Sequence, residues 1–122
     1  LNILEIGIAD GKSLLMWSDF FKNSTIIGID IKSIDIHEKK LNRDNIKIHQ
    51  GSQSDSNFIE TLIQKYQRFD IIIDDGSHFA KDVIRFSEVI IDSSESIPVN
   101  FNDTLPKFSI ITLLFRLPGS LK

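Results

Sequence analysis

The sequence predicts an α/β domain built on a doubly wound, mainly parallel sheet. Short apolar runs typical of buried strands alternate with longer segments of helical periodicity. Their order is strand, helix, strand, strand, helix, strand, helix, which implies crossover connections between parallel strands. The 122 residues are enough for a single hydrophobic core, so we expect one domain or part of one.

Four segments have the composition of strands: residues 1–7, 25–30, 46–50 and 69–74. The first passes into a glycine-containing loop, and the second and fourth are nearly continuous apolar runs that end in acidic residues. Continuous apolar runs are typical of strands that are buried on both faces of a parallel sheet.

Three segments have the periodicity of amphipathic helices: residues 13–21, 56–66 and 80–91. Ser13 is the expected N-cap of the first helix. The apolar face of the first helix is expected to contain Leu14, Leu15, Trp17, Phe20 and Phe21. The corresponding face of the second helix contains Phe58, Ile59, Leu62, Ile63 and Tyr66.

The last quarter of the chain lacks a clear pattern. Residues 92–96 are polar, Pro98 and Pro106 interrupt the stretch after them, and residues 110–115 fit either a strand or a short helix. We therefore expect residues 1–91 to form the folded core and residues 92–122 to be a diverged or truncated segment.

Composition excludes several classes of function. The net charge of −3 without a basic cluster gives no reason to expect a nucleic-acid partner. The absence of cysteine excludes disulfides and zinc–thiolate sites and is compatible with a cytoplasmic location. The apolar runs are too short to span a membrane, so no membrane partner is expected. Because the chain begins at Leu1, directly in a strand-like segment, we expect it to be a fragment of a longer protein.

The fourth predicted strand carries the strongest functional signal. Its apolar run is closed by Asp74, Asp75 and Gly76, and His78 follows. Open α/β sheets bind ligands at the carboxyl ends of their strands, so these side chains are candidates for a site. The alternative is that Asp75 and Ser77 only cap the next helix and that His78 is a surface residue.

A glycine loop follows the first predicted strand, with the spacing E-x-G-x-x-x-G formed by Glu5, Gly7 and Gly11. Asp30 ends the second strand 23 residues after Gly7, close to the offset of about 20 at which an acid binds ribose hydroxyls. The spacing differs from the G-x-G-x-x-G of pyrophosphate-binding loops and favours a nucleoside without phosphates, such as S-adenosylmethionine. We expect Glu5, Asp30 and Asp75 to share one pocket. The glycines could also be simple turn residues, and Asp30 a solvated strand-end acid.

Together, residues 5–14, 28–31, 51–55 and 70–78 resemble class I S-adenosylmethionine-dependent methyltransferases. Within that class they are most similar to the macrocin and mycinamicin sugar O-methyltransferases. The resemblance implies a Rossmann-like methyltransferase fold whose C-terminal strands are missing or diverged in this chain. It also implies S-adenosylmethionine as cofactor, dependence on magnesium, and a small-molecule acceptor that offers a sugar hydroxyl or is a glycosylated natural product.

The resemblance assigns roles to individual residues of the cofactor site. Glu5 and Gly7 would line the methionine end of the cofactor, and Asp74 its amino-acid group. Asp30 would bind the ribose. Gly11 and Ser13, at the end of the loop and the start of the helix, are further cofactor-binding candidates.

The same resemblance places Ser52 and Gln53 near the adenine, Asp75 on the metal ion, and His78 as the general base. A base in this position is chemically suitable, because an imidazole near a helix start is favoured in its neutral form.

One family feature is missing from this chain. Related methyltransferases supply further metal-binding acids from a Glu-Asp pair after a Pro-Gly-Gly turn, whereas this chain has no Glu-Asp dipeptide and no glycine between Gly76 and Gly119. Divergence, a shifted reading frame and truncation all remain open. We expect residues 108–117 to pair with the fourth strand, which would otherwise be an open edge. The alternatives are that a partner chain pairs there or that the fragment is only marginally stable. The alternatives to an active enzyme are an inactive cofactor-binding remnant and, on a similar sheet, a nucleotide-dependent oxidoreductase.

Overall fold

The computed structural model describes residues 1–32, 41–76 and 81–82. These residues form a four-stranded parallel sheet with one helix packed on each face. The elements in chain order are β1 (Asn2–Ile6), α1 (Lys12–Phe20), β2 (Thr25–Asp30), β3 (Ile46–Gln50), α2 (Ser56–Tyr66) and β4 (Ile71–Asp74). The predicted α/β class with a mainly parallel sheet is therefore confirmed.

The strand order is β3-β2-β1-β4, and every neighbouring pair is parallel. The chain builds outward from β1 through β2 to β3 and then returns to the other side of β1 to place β4. This reversal creates a topological switch point between β1 and β4. Ligands of open α/β sheets bind in the crevice at such a point, beyond the carboxyl ends of the strands.

Two apolar clusters fix the helices to the sheet, one on each face. On the first face, Ile59 and Leu62 of α2 are buried against the sheet, and Phe58, Ile63 and Tyr66 pack around them, as their spacing predicted. On the second face, Leu14 of α1 packs against β-strand isoleucines. The strand members of the first cluster are Leu4, Ile6, Ile27, Ile29 and Ile72, and those of the second are Ile3, Ile26, Ile46 and Ile73.

Two predictions about α1 are wrong. The helix begins at Lys12 with Gly11 as its N-cap at φ 79°, a left-handed conformation that glycine adopts readily, so Ser13 lies inside the helix and does not cap it. Phe20 is 76% exposed and does not join the core. The helical repeat places Phe20 on the same outer side as Met16, which is also exposed.

Most of the predicted helix over residues 80–91, all of residues 92–122 and the pairing expected for residues 108–117 lie outside the described residues. Of the helices within the described ranges, none combines the length and the apolar character needed to cross a membrane.

The cap of α2 gives a direct test of this fold. Asp55 Oδ1 accepts hydrogen bonds from Asn57 N at 3.1 Å and Phe58 N at 3.3 Å. We expect Asp55→Ala to lower the free energy of unfolding by about 1 kcal/mol, measured by urea denaturation, because two helix-start amides lose their acceptor. Asp55→Asn should retain most of the stability. An equal loss in Asp44→Ala, at an exposed loop position, would contradict the capping role.

Candidate functional site

The hydrogen bonds of the sheet continue past the ends of the strands. Gly7 N donates to Ile29 O at 2.9 Å, and Asp75 N donates to Ile6 O at 2.9 Å. Gly51 N donates to the carbonyl oxygen of the last residue of β2 at 2.9 Å. The loops that follow β1, β3 and β4 are therefore fixed next to one another at the carboxyl edge of the sheet.

A cavity of about 490 Å³ opens among these loops. Its volume falls within the roughly 300–1,000 Å³ that is usual for small-molecule sites. The lining residues come from all four strand ends and the described residues beyond them: Ile6, Gly7, Ala9, Ile29, Asp30, Ile31, Lys32, Gly51, Ser52, Gln53, Ser54, Asp75, Gly76 and Asp82.

Asp30 holds the glycine loop against β2. Its Oδ2 accepts hydrogen bonds from Ile8 N at 3.1 Å and Ala9 N at 3.2 Å. Its Oδ1 accepts from Lys32 N at 2.9 Å. A carboxylate has about four lone-pair sites, so these three bonds leave some capacity for a ligand in the cavity.

Two glycines allow the loops to approach one another closely. Gly7 has φ +80°, and a Cβ atom there would lie 2.5 Å from the carbonyl oxygen of Asp75. A Cβ atom at Gly76 would lie 2.5 Å from Gln53 Oε1. A side chain at Gly7 would force the backbone of Asp75 and Gly76 away, and one at Gly76 would displace the side chains of Gln53 and Ile6.

The two consecutive acids at the end of β4 have different environments. Asp74 is buried and does not line the cavity; its Oδ1 accepts from Gly76 N at 3.1 Å and its Oδ2 from Gln53 Nε2 at 3.3 Å. Asp75 does line the cavity. Of the pair, Asp75 is thus the residue whose position suits a ligand.

Glu5 is buried at 3% exposure and does not line the cavity. It lies two residues after Ile3 on β1, on the sheet face that α1 covers. Burial raises the pKa of the Glu5 carboxyl to about 7; a hydrogen bond with Ser13 opposes this rise, and the nearby charge of Asp75 adds to it. Its Oε2 has no hydrogen-bond partner within the described part of the chain.

The structure thus divides the residues that the sequence singled out. Five of them line the cavity: Gly7, Asp30, Ser52, Gln53 and Asp75. Four others do not: Glu5, Gly11, Ser13 and Asp74. The expected shared pocket therefore contains Asp30 and Asp75 but not Glu5. His78 lies outside the described residues.

Asp82 is a cavity residue that the sequence reasoning missed. Asp74, Asp75 and Gly76 form the turn at the end of β4, called the acidic turn below. The sequence signal for Asp82 was a carboxylate early in the helix predicted after this turn, but that helix was interpreted only for its apolar face. Besides Asp30, whose carboxylate holds the glycine loop, Asp75 and Asp82 bring two further carboxylates to the cavity. Mg²⁺ commonly uses one or two carboxylates together with water and substrate oxygens. Over residues 1–32, 41–76 and 81–82, no group of three or more potential metal-binding side chains occurs.

Comparison with known proteins identifies relatives of one kind. The chain is 36% identical to mycinamicin VI 2''-O-methyltransferase of Micromonospora griseorubida over 85 residues, and this alignment covers 64% of the chain. It is 37% identical to demethylmacrocin O-methyltransferase of Streptomyces fradiae over 90 residues, and this alignment covers 68% of the chain. No family model matches the chain.

Solved structures agree with the sequence comparison. The mycinamycin-pathway methyltransferase MycE, solved with Mg and SAH, matches with a TM-score of 0.66 and 32% identity over 75% of this chain and 26% of that one. These matches confirm the predicted resemblance to class I S-adenosylmethionine-dependent methyltransferases. The chain spans about 20% of the length of mycinamicin VI 2''-O-methyltransferase and about 22% of the demethylmacrocin enzyme.

The same sheet also occurs outside the methyltransferases. dTDP-glucose 4,6-dehydratase from Bacillus anthracis, solved with NAD, matches with a TM-score of 0.63 over 90% of this chain. Its sequence identity is only 13%, so the likeness concerns the fold alone.

The close approach at Gly7 can be tested by substitution. We expect Gly7→Ala to lower the free energy of unfolding by more than about 1 kcal/mol, because alanine is strained at this φ and its Cβ would contact the Asp75 backbone. Ala9 also has a positive φ, 48°, so Ala9→Gly in the same loop should be nearly neutral. Chemical denaturation measures both variants. A Gly7→Ala protein as stable as the Ala9→Gly protein would contradict this account.

The raised pKa of Glu5 predicts a pH-dependent stability difference. The folded protein retains a proton on Glu5 that the unfolded chain releases near pH 4.5. The stabilisation that protonated Glu5 gives is therefore complete below pH 4.5 and is lost as the pH rises to about 7. The free energy of unfolding of Glu5→Gln should match that of the wild type near pH 4.5 and exceed it by up to about 3 kcal/mol above pH 7.

The measurement is the difference in stability between variant and wild type across this pH range, in EDTA, so that no cation near Asp75 alters the local charge. Glu60→Gln, which makes the same substitution at an exposed position on α2, is the matched control. A stability difference for Glu5→Gln that does not vary with pH, or that varies no more than that of the control, would refute the assignment.

Proposed function

We propose that this chain is the cofactor-binding part of a metal-assisted O-methyltransferase that uses S-adenosylmethionine. The proposed acceptor is a hydroxyl of a sugar or of a glycosylated natural product. One observation carries the proposal: Asp30 and Asp75 meet at one cavity in a chain that is 36% identical to a mycinamicin sugar O-methyltransferase. MycE has been solved with Mg, SAH and mycinamycin VI, which supports the cofactor, the metal and the acceptor class.

The proposed cofactor site uses the residues that line the cavity. Asp30 would accept hydrogen bonds from the ribose hydroxyls, and Gly7 would let the methionine end approach the backbone. Ser52 and Gln53 would lie beside the adenine. The remaining candidates act from the surroundings: Glu5, Gly11, Ser13 and Asp74 would shape the loop and the acidic turn around the methionine and amino-acid end.

The proposed chemistry is transfer of a methyl group from sulfur to oxygen. S-adenosylmethionine supplies the methyl group on a sulfonium sulfur, so the bond from carbon to the acceptor oxygen forms as the carbon–sulfur bond breaks, leaving SAH. His78 would take the proton of the acceptor hydroxyl as general base. Asp75, with Asp82 at the same cavity, would hold a magnesium ion that lowers the pKa of that hydroxyl.

Binding of SAH tests the proposal. In isothermal titration calorimetry we expect one SAH per chain, and we expect Asp30→Ala to weaken SAH binding at least about tenfold through the loss of charge-assisted hydrogen bonds. Asp30→Asn retains one acceptor oxygen for the loop amides and should weaken binding less. Asp44→Ala, which removes an exposed carboxylate before β3, is the control and should bind SAH like the wild type.

Two other results would lead to different conclusions. If the folded wild type binds NAD more tightly than SAH, the methyltransferase proposal is wrong and a nucleotide-dependent oxidoreductase takes its place. Binding of SAH without methyl transfer to any hydroxylated acceptor, with or without magnesium, would identify an inactive remnant. Transfer that is lost in His78→Ala would exclude the remnant and support the base.

A further inference from the structure

Gln53 connects two distant parts of the sheet. It follows β3, at one side of the described sheet, yet its Nε2 donates to Asp74 Oδ2 at the end of β4, on the other side. The loop after β3 and the Gln53 side chain together therefore cross the ends of β2 and β1. Both partners are buried, at 7% exposure for Gln53 and 6% for Asp74. The bond is long, at 3.3 Å, but burial keeps water from replacing it and makes an unpaired Gln53 or Asp74 costly.

Gln53 also contacts the next part of the acidic turn. The position that a Cβ atom of Gly76 would occupy lies 2.5 Å from Gln53 Oε1, so the amide packs directly on this glycine. Asp74 and Gly76 are in turn joined by the hydrogen bond from Gly76 N to Asp74 Oδ1 at 3.1 Å. The amide of Gln53 thus holds the residues on both sides of Asp75.

Gln53 is also one of the residues that line the cavity, as is Asp75. We propose that Gln53 is a positioning residue that ties the loop after β3 to the acidic turn and so sets the place of Asp75 at the cavity. In this arrangement, the part of the site assigned to the nucleoside and the part assigned to the methionine end are fixed relative to each other. The statement about ligands rests on the proposed function; the link between loop and turn does not.

An isosteric exchange of the two partners tests this link. In Gln53→Glu, two carboxylates face each other and neither can donate. In Asp74→Asn, the oxygen of residue 74 still accepts from Gly76 N, and the Gln53 amide must flip so that its Oε1 accepts from the new NH2 group. The double variant Gln53→Glu/Asp74→Asn restores the pairing with the donor and acceptor reversed. The amide nitrogen of residue 74 then donates to residue 53, and its oxygen still accepts from Gly76 N.

We expect Gln53→Glu to weaken SAH binding at least about tenfold and to lower the melting temperature by several degrees. Asp74→Asn should lose less of both, because a flipped Gln53 amide can still pair with it, and the double variant should recover most of the losses of Gln53→Glu. Adenosine separates positioning from direct contact. If Gln53 acts through the turn, the single variants should weaken SAH much more than adenosine, because adenosine lacks the methionine end. Asp55→Ala is the matched control: it removes the helix cap three residues before Phe58, lowers stability, and should leave the affinity of the folded protein for SAH unchanged.

Several results would overturn the proposal. If the single variants lose equal affinity for adenosine and for SAH, Gln53 only contacts the nucleoside. A lower melting temperature with unchanged SAH affinity would mean that the bond is only structural. If the double variant recovers neither SAH affinity nor melting temperature, the two side chains do not act as a hydrogen-bonded pair. If the wild type binds neither SAH nor adenosine, the proposed function fails. The melting temperatures of the wild type, the two single variants and the double variant then test the link alone: if the changes in the single variants add up in the double variant, the two side chains are not coupled and the link is rejected.

Discussion

The parallel backbone pairing around β1 is the constraint on which the rest of the site depends. Ile6 is in register with Ile29 on one side and with Asp74 on the other, so the three strands end at the same level. The ladder then continues through Gly7 N and Asp75 N. Because these bonds fix the backbone beyond the strands, the loops have little freedom to diverge, and acids that are far apart in the sequence meet at one cavity. A shift in register of β4 would move Asp75 away from Asp30 without changing any residue.

This convergence has a structural cost that is concentrated at the site. Gly7 and Gly76 have no space for a side chain, and Ala9 adopts a positive φ that non-glycine residues rarely adopt. Nearby, Glu5 is buried with one oxygen lacking a partner among the described residues. Away from the site, the same sheet is packed with aliphatic side chains that follow ordinary strand alternation. The close glycine approaches therefore lie where the loops meet, as is usual where function limits the choice of residue. Two comparable features lie elsewhere among the described residues: Gln67, at the end of α2, has φ 66°, and Trp17 Nε1 has no partner there.

The sequence was sufficient for the parts of the fold that depend on periodicity. Strands 25–30 and 46–50 and the inner face of α2 agree with the structure, because alternation and helical spacing report burial directly. The start of α1 was missed, since it depends on the left-handed backbone of Gly11, and Phe20 was misplaced because apolar character alone does not say which side of a short helix is covered. In the site, the rule for parallel strand ends was enough to bring Asp30 and Asp75 together. It could not place Glu5 beneath α1, nor bring Gln53 across two strands to Asp74, because both depend on tertiary packing.

The hydrogen bonds of the glycine loop also bear on which nucleoside ligand the site suits. Dinucleotide-binding loops direct their backbone N–H groups at a pyrophosphate. Here the N–H groups of Ile8 and Ala9 donate to the carboxylate of Asp30 instead. A phosphate at this loop would compete with Asp30 for these donors and would face its negative charge at close range. A ligand with ribose hydroxyls and no phosphate meets neither difficulty, because its hydroxyls can donate to the remaining lone pairs of the same carboxylate. The likeness of the sheet to an NAD-binding dehydratase therefore does not extend to the chemistry of this loop.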